Sequence, residues 1–252
     1  MIFVPGGAFT MGDVWGDGLS DELPVFACEV SDFYFGRYPI TNEEFVIFLN
    51  DIGKNVDDDG NMILDLRSGD PASTIVFADG AYRHSQTAGR HPVRYLSWHG
   101  ATNYCRWLSS RLGCAVRLPT ELEWQYAACG GKHLKWGLGN RFDKDEYVIS
   151  QHEGPSPVDF GEESKYGLKC ITGNIFEWCE DEYRFSFNPH DNPVLKHHRV
   201  MKGGAFSLND ITNFRNSKRF SCFEKSCLNC IGLRILSQQE LPPHFALSQS
   251  AK

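Results

Sequence analysis

The chain has 252 residues, 41% hydrophobic, 13% aromatic and 23% charged, which is enough apolar mass for a core and excludes wholesale disorder. The formal net charge of −7 argues against nucleic acid as a partner, because phosphate recognition needs a surplus of Lys and Arg, and the short basic stretch 196–202 does not supply one. The length suits one large domain, and no apolar run reaches the roughly 18 residues of a membrane-spanning helix.

The chain opens MIFVPGG, with neither a basic segment nor a long apolar one, so no signal peptide is expected and no compartment follows from the sequence. The first helix starts at Thr41, which forms a capping box with Glu44. Phe45, Phe48, Leu49 and Ile52 then make one apolar stripe, and Gly53 ends it. Segment 54–83 reads as hairpins with tips at Asp59-Gly60 and Asp79-Gly80. Its acidic tip, Asp57 to Asp59, lacks the glutamate and following helix of an EF-hand and reads as a solvated turn. A second helix runs from about Ser97 to Leu112, with Ala101, Cys105, Leu108 and Leu112 on one face and Gly113 after it. A third, short helix has a Thr120–Glu123 capping box and turns Trp124, Ala127 and Ala128 inward. From residue 130 onward, short aromatic and β-branched pieces alternate with turns. The predicted class is α+β, with few helices, many short strands and long loops. Residues 1–236 form the domain and 237–252 a polar tail.

Nine cysteines are an odd number, so at least one is free or paired between chains. Cys227 and Cys230 form a C-x-x-C, but no second pair completes a zinc site. The tandem His197 and His198 would point to opposite faces of a strand and so not share a metal.

Several segments together carry a family resemblance: 4-VPGGAFTMGD-13, 34-YFGRYPITNEEF-45, 91-HPVRYLSWHGATNYCRWLSSRLG-113, 117-RLPTELEWQYAA-128, 173-GNIFEW-178, 202-KGGAF-206, Arg215, Arg219 and 231-IGLR-234. In this order they resemble the formylglycine-generating enzyme (sulfatase-modifying factor) family over nearly the whole chain. The resemblance implies a C-type-lectin-like fold with long loops. Trp98, Trp107, Trp124 and Trp178 are expected as core residues.

The enzymes of that family resemble one another in a pair of cysteines after the GG motif that bind copper(I), a soft metal suited to thiolates. Counted from Gly203 and Gly204, those positions hold Leu208 and Asn213, so the resemblance does not extend to catalysis. A copper oxidase built on the displaced Cys222, Cys227 and Cys230 is the alternative. No cofactor is required, although the family also implies a structural calcium site. Here Glu177 would give a carboxylate and Gly173 and Ile175 backbone carbonyls, while Cys170 replaces the family's asparagine.

The C-terminal segment resembles a second, non-catalytic branch, the variable proteins of diversity-generating retroelements. The matching frame is 203-GGAF-206, Arg215, Arg219 and 231-IGLR-234. Asparagine codons randomised at their adenines yield Phe, Ser, Cys, Leu, Ile, Thr, Asn or Asp but not Lys, Glu, Trp or Met. Ser207, Leu208, Asn209, Ile211, Asn213, Phe220, Ser221, Cys222, Phe223, Cys227, Leu228, Asn229 and Cys230 all carry permitted residues, whereas Lys218, Glu224 and Lys225 read as frame. Residues 220–230 have no clean period of 2 or 3.6 and read as an exposed apolar recognition patch. The expectation is a non-catalytic ligand-binding display protein whose partner is a protein or other surface ligand. By resemblance it would be a monomer at a cell surface. Phe220→Ala and Phe223→Ala would then leave stability nearly unchanged.

Overall fold

Thr41, Ser97 and Thr120 each accept a hydrogen bond from a first-turn backbone N–H. They open three α-helices among the described residues of the computed structural model: α1 (Asn42–Ile52), α2 (Trp98–Leu112) and α3 (Glu121–Ala128). The description covers residues 1–66, 75–149, 154–188, 190 and 192–242. Residues 67–74 of the expected hairpins and 243–252 of the expected tail lie outside it. Gly53 and Gly113 close α1 and α2 in the left-handed conformation. The expected inward residues Phe45, Phe48, Leu49, Ala101, Cys105, Leu108, Trp124, Ala127 and Ala128 are buried, while Ile52 and Leu112 only pack against the core edge.

Among the described residues the strands form four small sheets. β1 (Ile2–Val4), β4 (Phe33–Phe35) and β11 (Leu236–Ser237) make an antiparallel sheet in the order β1-β4-β11, which joins the two ends of the fold. β2 (Gly7–Met11) pairs with β3 (Phe26–Val30), and β5 (Ile75–Ala78) with β6 (Ala81–His84) around the Asp79-Gly80 tip. The other tip, at Asp59-Gly60, forms no strand pair but is held by a bridge between Val56 and Met62 and by hydrogen bonds from Asn61 and Gly60 to Asp57. The fourth sheet runs β10-β7-β8-β9, from β7 (Phe176–Arg184), β8 (Val194–Lys202), β9 (Phe220–Phe223) and β10 (Ile231–Gly232). β10 joins β7 in parallel, and the other two pairs are antiparallel.

Several expectations change. After residue 130 the chain contains two nine-residue strands, β7 and β8, which their charged residues hide from a hydrophobic count. Trp124 and Trp178 are fully buried, but Trp98 and Trp107 are only partly so. Ser237 is paired in β11 and 1% exposed, so the fold runs past residue 236. Asp57 is not a solvated turn residue: its carboxylate accepts the N–H groups of Asp59 and Asn61, and its side chain is 8% exposed.

Candidate recognition face

The segment from β8 to β10 alternates between buried anchors and outward side chains. Gly203 and Gly204 turn the chain off β8 with φ of 94° and 75°, and a Cβ on Gly204 would stand 2.6 Å from the Phe214 ring. Lys202 to Phe206 and Phe214 to Arg219 are buried, and burial resumes with Glu224 and at Ile231. Three arginines hold this framework. Arg215 makes two hydrogen bonds to Glu22, at 2.7 and 2.8 Å. Burial alone would push the Glu22 carboxyl up, but Arg215 and the Leu19 N–H hold it below the usual carboxylate range. Arg219 grips Glu121 at 2.6 and 3.0 Å and donates to the Asp21 and Arg184 carbonyls. Arg234 is fully buried against Glu177 and donates to the carbonyls of Gly36, Arg37 and Lys169.

The Glu177 pairing bears on calcium. Its carboxylate accepts from Arg234 at 2.7 to 3.1 Å and from the Trp124 indole at 2.7 Å. The guanidinium brings the positive charge that a calcium ion would, so the structure gives Glu177 to Arg234. Gly173 donates its N–H to Gly203, and the Cys170 thiol donates to the Val158 carbonyl. Among the described residues no group of three or more His, Cys, Asp or Glu side chains is arranged to hold a metal ion.

None of the thirteen predicted variable positions is buried. Ser207, Asn209, Ile211, Phe223, Leu228 and Asn229 are exposed, and Leu208, Asn213, Phe220, Ser221, Cys222, Cys227 and Cys230 are half-buried. The face is continuous at several points. Leu208 touches two core clusters, and Phe220, Cys222 and Cys230 all pack against the first of them. The 220–223 stretch is not irregular, as its composition suggested. It pairs with β8, and Phe220 and Cys222 pack against the core, Phe220 with its ring 4.7 Å from Phe176. The expectation for Phe220 is therefore corrected. Phe220→Ala should cost about 1–3 kcal/mol, less than full burial would, and Phe223→Ala about 0.5 kcal/mol or less. Urea unfolding of the two variants checks this; equal losses would contradict the assignment of faces.

His197 and His198 also differ from expectation. His197 has φ of 62°, which breaks strand alternation, and the centroids of the two rings lie 6.3 and 5.8 Å from that of Phe223. Behind Phe223 lies a cluster the sequence did not show. Glu224 faces His197 Nδ1 at 3.0 Å, accepts from Arg199 at 3.1 Å and stands 3.8 Å from His99 Nε2, while Asp57 is 3.9 Å from His99 Nδ1. Arg199 lies 3.9 Å over Trp98. These residues come from four distant segments, and no spacing signals them.

Burial lowers the pKa of His99 more than Glu224 and Asp57 raise it. The neutral form is favoured in the fold, so this group's contribution is present above about pH 6.5 and is lost as pH falls from there through the depressed folded value. His91 shifts in the same direction, again chiefly through burial. Asp181 opposes both, because burial raises it to about 6 and acid relieves the strain of its charge. The difference between wild type and His99→Asn isolates the first effect: the variant should lose less stability between about pH 6.5 and 5. Parallel pH–stability curves would refute it.

The buried arginine frame and the outward side chains define a C-type-lectin-like scaffold that holds a C-terminal face in place. Residues 1–239 match the sulfatase-modifying factor enzyme 1-like domain, and the chain belongs to that family, whose catalytic members are formylglycine-generating enzymes. It is 34% identical over 220 residues to the serine/threonine-protein kinase Pkn1 of Chlamydia trachomatis, covering 83% of this chain and 34% of the kinase. The chain thus spans about a third of the length of that curated relative. It is 27% identical to the formylglycine-generating enzyme of Streptomyces coelicolor, over 95% of this chain and 90% of the enzyme. Two solved structures share the fold. PvdO from Pseudomonas aeruginosa has a TM-score of 0.74 at 22% identity, covering 94% of this chain and 93% of its own. Treponema denticola variable protein 1 has a TM-score of 0.72 at 19% identity, covering 95% of both chains.

Proposed function

We propose that the chain is a non-catalytic binding protein of the variable-protein type, displaying residues 207–213 and 220–230 to a protein or other surface ligand. The observation that carries this reading is the partition just described: frame residues are buried almost throughout, and none of the thirteen predicted variable positions is buried. A rigid frame lets side chains change without a large ordering cost on binding. Leu208 and Asn213 supply no thiolate at the family's copper positions. Burial raises the Cys222 thiol, and burial with the neighbouring Cys222 raises Cys230, which disfavours the thiolates an oxidase would need. On this reading no cofactor is required.

The DNA beside the gene tests the proposal. A near-identical repeat of the 203–234 coding segment, differing only at adenines and adjacent to a reverse transcriptase, is expected; flanks lacking both would end this reading. Copper(I) titration tests the oxidase alternative. Tight binding abolished by Cys222→Ser would favour the enzyme.

A further inference from the structure

Resting on the display reading above, we propose that the β9 end of the face takes an acidic, extended segment of a partner protein. β9 is the edge strand of its sheet and pairs there only with β8, so an extended segment can add alongside it through backbone hydrogen bonds. Phe223, 41% exposed, closes the strand as an apolar anchor. The positive φ of His197 brings both histidine rings against it, and the His197 side chain is 66% exposed.

Charge decides the class of partner. Lys196 and Lys225 flank this site, both exposed and without an ion-pair partner among the described residues. Glu224, the acid nearest the anchor, is turned inward and committed to His197 and Arg199, so it does not neutralise the rim. Glu182 stands in register with Arg199 across the β7–β8 pair. The chain as a whole carries −7. A cationic rim around an apolar anchor in an otherwise anionic protein attracts acidic segments and disfavours basic ones, fixing register as well as speeding encounter.

The probe is a random peptide library displayed on phage, selected against the folded protein and counter-selected against the Phe223→Ala/Leu228→Ala double variant. Peptides lost on that variant should be acidic with one large apolar residue. Their binding should weaken roughly tenfold or more in the Lys196→Glu/Lys225→Glu variant, and similarly in about 0.5 M salt. Melting curves confirm that these surface variants fold. If peptides are lost on the double variant but are neutral or basic, or ignore the lysine substitutions and salt, the acidic partner is refuted while the display reading stands. If no selected peptide depends on Phe223 or Leu228, the display reading falls, and this inference with it.

Discussion

Replacing Arg234 with Met should lower stability by about 3–5 kcal/mol, because it leaves the Glu177 carboxylate charged, buried and uncompensated. The backbone carbonyls of Gly36 and Lys169 lose the Arg234 donor at the same time, while that of Arg37 keeps the Lys169 N–H. The melting temperature should fall on the order of 10 °C for a chain of this size. Adding Glu177→Gln to the Arg234→Met variant should recover part of the loss, since no buried charge then remains. A fall of less than about 1 kcal/mol would show that Glu177 finds another cation. Calcium-dependent rescue of the single variant would identify that cation and return the residue to the metal-binding role its position implies.

Arg219→Met should be nearly as damaging, again about 3–5 kcal/mol. It strips two hydrogen bonds from Glu121 and one each from the Asp21 and Arg184 carbonyls, and it removes a guanidinium stacked 4.3 Å from the Phe187 ring. Arg219 immediately precedes β9, so segment 220–230 should loosen with it. Limited proteolysis between 220 and 230 should accelerate before the rest of the chain is cut. A double-mutant cycle with Glu121→Gln should give a coupling above about 1 kcal/mol. Additive losses would mean that the two residues do not act as a pair.

Local signals were readable wherever they depend on neighbours in the chain. The capping boxes at Thr41–Glu44 and Thr120–Glu123 and the glycines after α1 and α2 stand as their spacing predicts, because a helix end satisfies its orphan groups within a few residues. The Asp79-Gly80 hairpin is legible for the same reason. β7 and β8 were not, since strands with charged residues on one face show no hydrophobic run. The half-buried position of Phe220 is not legible, because the pairing of β9 with β8 and the Phe176 ring against it join segments far apart in the chain.

The order and identity of the family segments, and the presence of Leu208 and Asn213 after the Gly203-Gly204 pair, belong to the sequence alone. They are statements about which atoms the chain carries. Only the tertiary structure decided that Glu177 answers Arg234, that a positive-φ histidine brings two rings to Phe223, and that Glu224 gathers His99, His197 and Arg199. Each of those depends on groups brought together from segments far apart in the chain, and an ion pair or a ring contact is set by distance and by burial, neither of which a linear order contains.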